Sequence, residues 1–259
     1  NSTEAMLDRS RLAKKYYDHA MYVQAAELYA VAANHFIANP DYRYRLTHAT
    51  IRNCAQTYGL MYQETKQEKY EKMAMEYSLA DESYGKKMLD IVREQYGEQA
   101  MEYVHMEYQF VCRKIARARI CINLGKYEQA DMYLKEYYDE IQPFADKIQI
   151  EQDVAYYHEA CSVLLMEKEK DYKNAKIHLE EALSIVLKYY AQEHPRILRF
   201  LIPLAGCCLC LNEYEHAKEY LLRAQTITEA LYQPEHGRVG KVNQLLKAFA
   251  LWRAQNISL

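Results

Sequence analysis

Cys207, Cys208 and Cys210, with histidines nearby, are side chains that could ligate a metal. Structural zinc sites favour paired Cys-x-x-Cys units in loops, whereas these thiols fall on an apolar stretch of helical spacing, where cysteine packs as a small residue. His158, Glu159 and Cys161 form a second chemistry-bearing group, but the two-histidine helical motif of metalloproteases is not there. His194 and His236 stand 42 residues apart in the same local context, which marks them as joint residues held by hydrogen bonds. Arg113, Lys114, Arg117 and Arg119 form the densest basic cluster. Such a cluster either pairs with carboxylates of its own fold or grips an anionic partner with guanidinium forks. With seven glycines and no convincing strand, the chain has no means of building a phosphate loop, so the reading is non-catalytic, with no cofactor and no metal.

The elements that position these residues are helical. In 259 residues there are only seven glycines and five prolines, while Ala, Leu, Glu, Lys and Tyr recur at helical spacing. Twenty-six tyrosines let the chain pack well without being greasy, since each ring packs while its hydroxyl stays near water or finds a partner. A formal net charge of −3 gives no global field for nucleic acid or anionic membrane. The longest apolar run, residues 200–211, is far shorter than the ~20 residues a spanning helix needs and contains Pro203. The seven cysteines all lie in apolar helical stretches rather than at disulfide-framework spacings, which points to reduced thiols and a cytoplasmic location. With no initiator Met and no secretory signal at its start, the chain is expected to be part of a longer protein.

Self-comparison exposes a repeat. From Tyr127, Ala130 follows after three residues, Leu134 after seven and Tyr137 after ten, with Gly125 two before. The frame recurs at Tyr22/Ala25/Tyr29/Ala32, Tyr70/Met73/Tyr77/Ala80, Tyr172/Ala175/Leu179/Ala182 and Tyr214/Ala217/Leu221/Ala224. These offsets put four side chains on one helical face, and the preceding Gly, Asn or Ala sits in a turn, so each copy starts the second helix of a hairpin. First helices carry a small residue where backbones approach: Ala13, Ala55, Ala118, Ala160 and Ala205. Five extra residues, 167–171, precede the fourth turn.

This pattern resembles the tetratricopeptide repeat, without that family's tryptophan and terminal proline and with a longer period. Tyr172 and Tyr214 are 42 residues apart, the period of the kinesin-light-chain-like subtype, whose second helices end in an aromatic followed by a Gly/Glu-His-Pro joint, matched by Tyr190, Glu193, His194 and Pro195. Tyr232, Glu235, His236 and Gly237 repeat it. The resemblance implies an all-α, right-handed superhelical solenoid over residues 1–259, with five hairpins (about 1–40, 41–96, 97–143, 144–194 and 195–236). A capping helix at 237–259 contains Phe249, Trp252 and Arg253.

In that family the first helices line a concave groove. Carried over, the lining is Ser10, Lys14 and Tyr17, then Arg52 and Gln56, then Arg119 and Asn123, then Tyr157, and finally Arg199. A polar, cationic and aromatic surface of this kind suits a protein or peptide segment, acidic or ending in a free carboxylate. The expected function is a binding scaffold, as a monomer or homodimer, with no direct nucleic-acid or membrane partner. The alternative is a peptide- or partner-sensing domain of a larger signalling or transcription regulator.

Overall fold

A computed structural model describes residues 2–40, 45–234 and 236–256, with the side chains of 45 and 252–256 outside the description. Among the described residues there are eleven α-helices: α1 (Thr3–Asp18), α2 (Tyr22–Ala38), α3 (Arg45–Thr65), α4 (Glu68–Tyr96), α5 (Met101–Asn123), α6 (Tyr127–Ile141), α7 (Glu151–Leu164), α8 (Tyr172–Leu187), α9 (Leu198–Cys210), α10 (Tyr214–Leu231) and α11 (Gly237–Asn256). They pair in sequence as five hairpins followed by α11. Two compact units result, Asn1–Ile150 with three hairpins and Glu151–Leu259 with two hairpins and α11.

The hairpin turns follow from single residues in the left-handed region. Ala20 (φ 58°), Gly125 (φ 74°), Lys170 (φ 56°) and Asn212 (φ 61°) each stand two residues before the tyrosine that opens α2, α6, α8 or α10. A left-handed residue ends the first helix and reverses the chain within about two residues. In the fourth hairpin the extra residues are absorbed by a π-turn over Leu165–Glu169, after which the Asp171 carboxylate caps α8 by accepting from the Asn174 backbone N–H at 3.1 Å.

In the first unit, Ala13, Ala25, Tyr29, Ala33, Ile51, Cys54, Ala55 and Ala74 form one buried cluster that reaches α5 through Ile120 and Leu124. In the second, Ala155, Ala175, Leu179, Ala182, Leu204, Cys207 and Ala224 form another, and α11 joins it through Val242 and Leu246. The expected cap is therefore in place at α11, although the side chains of Trp252 and Arg253 lie outside the described residues.

The second hairpin departs from the repeat frame. Its left-handed residue is Lys66 (φ 55°), α4 begins at Glu68, and the residues turned inward are Ala74, Tyr77, Ser78 and Asp81. Met73 and Ala80 are only half-buried. The inward face of α4 is the one that presents Asp81 to Arg113 of α5, and that polar pairing sets the register here. Gly85, one turn beyond, makes room for it: a Cβ there would lie 2.5 Å from Arg113 Nη1 and 2.9 Å from a Phe110 ring carbon.

Gly85→Ala is accordingly expected to destabilise by about 1–3 kcal/mol, the usual cost of overpacking. Gly206→Ala in α9, where a Cβ meets nothing within 4 Å, is expected to stabilise by up to about 1 kcal/mol through helix propensity. Urea unfolding of both variants checks the pair of signs. Ala130 and Ala217 are fully buried, so Ala130→Arg or Ala217→Arg is expected to cost more than about 3 kcal/mol, as an overpacked and unpaired buried charge does.

Candidate functional site

Within the first unit α3 packs against both α1 and α5, so the first helices of three hairpins stand side by side. Asn123, near the end of α5, adjoins α3 closely: a Cβ on Gly59 would be 3.4 Å from Asn123 Cβ. The groove residues expected from the sequence fall into two groups here.

One group is already engaged. The Lys14 ammonium pairs with Asp18 one turn on and lies 5.6 Å from the Tyr17 ring, which itself meets Tyr22 edge-on at 5.6 Å. Ser10 is buried rather than exposed on a lining and shares a 2.6 Å hydrogen bond with Thr50, which ties α1 to α3. Arg119 also has an interaction partner.

The other group is open. Arg52, Gln56 and Asn123 are half-buried, and among the described residues none has a side-chain hydrogen-bond or ion-pair partner. Arg52 stands at the margin of a buried network. Asp81 accepts from Arg113 at 3.0 Å, and the Asp81 main-chain oxygen accepts from the same guanidinium at 2.6 Å. Arg113 donates to His48 Nδ1 as well, and His48 meets the Tyr84 ring edge-on at 4.9 Å. Burial pushes the Asp81 carboxyl upward, against the pull of Arg113, Arg52 and Arg117. Since Arg113 takes Asp81 and Arg117 takes Glu82 at 2.5 Å, the Arg52 charge is left without a carboxylate contact among the described residues.

The dense basic cluster is therefore carboxylate-paired for its first three members. Lys114 bridges Glu136 at 2.5 Å and Glu140 at 2.9 Å, which together with Arg113 and Arg117 fastens α5 to α4 and α6.

In the second unit Arg199 is not a free cation. It donates to the buried Glu159 at 2.8 Å and lies 4.6 Å from the Tyr156 ring. Tyr157 is half-buried and meets the His158 ring edge-on at 5.5 Å. The helix-to-helix joints repeat closely. His194 Nδ1 accepts from the Arg196 backbone N–H at 3.2 Å, and His236 Nδ1 accepts from that of Arg238 at 3.1 Å. The His194 ring lies tilted against Tyr190 and the His236 ring stacks on Tyr232, with centroids 4.4 and 4.0 Å apart, and each tyrosine hydroxyl accepts from the arginine of its own joint. Arg196 and Arg238 were visible in the sequence only as a 42-residue coincidence beside the histidines. Glu235 of the second joint lies outside the described residues.

Cys207 and Cys208 pack in the core, where burial pushes their thiols up to about 12 and about 11, away from the reactive thiolate. A different group has metal-ligand chemistry: His158 of α7 with His178 and Glu181 of α8, all ligand atoms within 4.8 Å of one another. His178-x-x-Glu181 spacing puts two ligands on one helix face, a signal passed over in the sequence.

No protein-family model and no curated protein matches the chain. Solved structures do. The apo form of RapI aligns over 98% of this chain with a TM-score of 0.50 at 18% identity, and the chain spans 65% of RapI's length. A putative kinesin light chain with nearly identical TPR-like repeats from Podosopora anserina aligns at TM-score 0.41 and 17% identity, over 88% of this chain and 96% of that one. BtubC (BKLC) from P. vanneervenii gives 0.43 and 18%, over 90% and 94%. The fold is an all-α, tetratricopeptide-like helical repeat, and no helix among the described residues is long and apolar enough to cross a membrane.

The buried network makes stability depend on pH. Burial and the neighbouring Arg113 and Arg52 push His48 down to about 3 from its ordinary value of 6.5. The unfolded chain then takes up a proton near pH 6.5 that the folded chain refuses, so this contribution is full above that pH and is lost as pH falls toward 3. Asp81, raised by burial, acts with the opposite sign, and His158, also lowered, with the same sign. Comparing His48→Gln with the parent chain isolates the His48 part: unfolding midpoints between pH 7 and 4 are expected to fall less steeply in the variant.

Proposed function

We propose that this chain, a tetratricopeptide-like helical repeat by fold, is a non-catalytic scaffold that holds a protein or peptide segment against its first helices. The observation that carries this reading is the trio Arg52, Gln56 and Asn123. Three half-buried polar side chains on adjoining helices have no side-chain hydrogen-bond partner among the described residues. Half-buried polar groups are costly to leave unmatched, and an incoming backbone or carboxylate matches them. An amide such as Asn123 or Gln56 both donates to and accepts from a peptide backbone, which gives affinity with little demand on sequence. The Arg52 guanidinium adds a fork suited to a carboxylate.

The preferred occupant is therefore an extended segment bearing an acidic side chain or a free C-terminal carboxylate. Lys14, Tyr17, Arg119, Tyr157 and Arg199 are retained as candidate contacts that must first exchange or share their present partners. A location in the cytoplasm fits a scaffold whose Cys54, Cys121, Cys207 and Cys208 are buried as thiols.

The test is a binding screen with synthetic peptides of mixed sequence, each with a free or an amidated C-terminus, followed by calorimetric titration of the best binder. Arg52→Ala and Asn123→Ala are each expected to weaken it by about 1.5–3 and 0.5–1.5 kcal/mol respectively, the ranges for charged and neutral hydrogen bonds. Added salt is expected to weaken the parent chain more than Arg52→Ala, because exposed charge is screened over about 8–10 Å. Equal affinities in all three proteins would move the binding surface away from α3 and α5.

A further inference from the structure

The fourth hairpin carries a group of side chains that neither the repeat nor the scaffold reading uses. His158 projects from α7 toward α8, and there its Nδ1 lies 2.9 Å from His178 Nδ1 and 3.0 Å from a Glu181 carboxylate oxygen. His178 Nδ1 is 4.0 Å from the same oxygen. Three ligand-type atoms thus enclose one small space, two from α8 one turn apart and one from the facing helix.

The arrangement is poorly served by protons alone. Each neutral imidazole carries one N–H. If His158 holds its proton on Nδ1, two acceptors compete for it. If it does not, its lone pair faces that of His178 or the carboxylate. One cation at the centre would satisfy all three atoms at once. Zinc–nitrogen and zinc–oxygen bonds of about 2.0–2.2 Å in tetrahedral geometry put ligand atoms about 3.3 Å apart. The observed separations of 2.9, 3.0 and 4.0 Å bracket that value, so small side-chain rotations suffice.

We propose that His158, His178 and Glu181 form a site for a divalent first-row transition metal of the zinc class, which clips α7 to α8. Two imidazoles and one carboxylate are ligands that zinc, nickel and copper accept, whereas magnesium and calcium prefer oxygen. Glu181 is half-exposed while His158 is largely covered, so an ion would reach the group from the Glu181 side. His158 is also held neutral by its burial, the form a metal requires. The clip spans the hairpin whose helices are joined through the π-turn.

The experiment is titration of the reduced, metal-stripped chain with zinc chloride, and with cobalt(II) chloride as a spectroscopic probe. The expected result is one ion per chain, tetrahedral cobalt absorption with no thiolate charge-transfer band, and a raised unfolding midpoint. His178→Gln and Glu181→Gln change partly exposed side chains and leave the buried core intact. Removing a ligand is expected to weaken binding by at least ~10-fold, since even outer-sphere partners of ligands cost about 10–100-fold. Failure to bind, a thiolate band, or zinc affinity unchanged in both variants would each overturn the site. Several weak ions per chain, indifferent to both variants, would show adventitious binding only.

Discussion

Everything else in this protein depends on how closely paired helices approach through alanine. Ala13, Ala55, Ala118, Ala160 and Ala205 on first helices, and Ala25, Ala130, Ala175 and Ala217 on second helices, are all fully buried. At such crossings a methyl group is all that fits, and two backbones in contact gain dispersion along their whole length. With crossings this tight, the larger residues one turn away are placed without choice. Tyr29, Leu134, Leu179 and Leu221 occupy the same step beyond the small residue in four hairpins, and all are buried. The left-handed turn residues follow from the same demand, because helices that must touch near their joined ends leave room for only a short reversal.

Asp81 breaks this pattern in an instructive way. At the inward position where other second helices have Ala32, Ala182 or Ala224, α4 has a carboxylate that is nearly fully buried. A buried ion pair seldom adds stability over an apolar pair, but breaking one costs about 3–5 kcal/mol. Its effect is therefore on register. Arg113 cannot reach Asp81, the Asp81 main-chain oxygen and His48 unless α4 presents Gly85 beside it, so one rotation of α4 against α5 is selected. His48 Nε2, buried with no partner among the described residues, is part of what this selection costs.

Legibility in the sequence followed locality. α2, α6, α8 and α10 begin at the tyrosine where the repeat frame places them, because a turn residue and an aromatic anchor lie within two residues of each other. α4 was displaced because Lys66 carries no turn signature and because the deciding contact, Asp81 with Arg113, spans 32 residues. The π-turn announced itself as surplus length, though its geometry did not. Side-chain availability was the least legible property. Arg52 and Arg199 look alike in the repeat frame, yet Arg199 meets Glu159 across 40 residues while Arg52 meets no carboxylate among the described residues. No helical spacing encodes that difference.

The contrast between these two arginines also shows that a cation's place in the repeat frame does not decide whether it is available. Lys126 pairs with Glu71 at 2.9 Å, and Lys176 pairs with Glu213, in each case joining neighbouring hairpins. Arg113, Lys114, Arg117, Lys126, Lys176 and Arg199 are thus each spent on a carboxylate outside their own helix. A cation becomes available to a partner only where the nearest carboxylate is already claimed by a more deeply buried base. At Arg52 the claim is made by Arg113, whose desolvated guanidinium holds Asp81 far more tightly than a half-exposed competitor could. The buried network that fixes the register of α4 is, by the same contacts, what leaves a guanidinium open on the α3 surface.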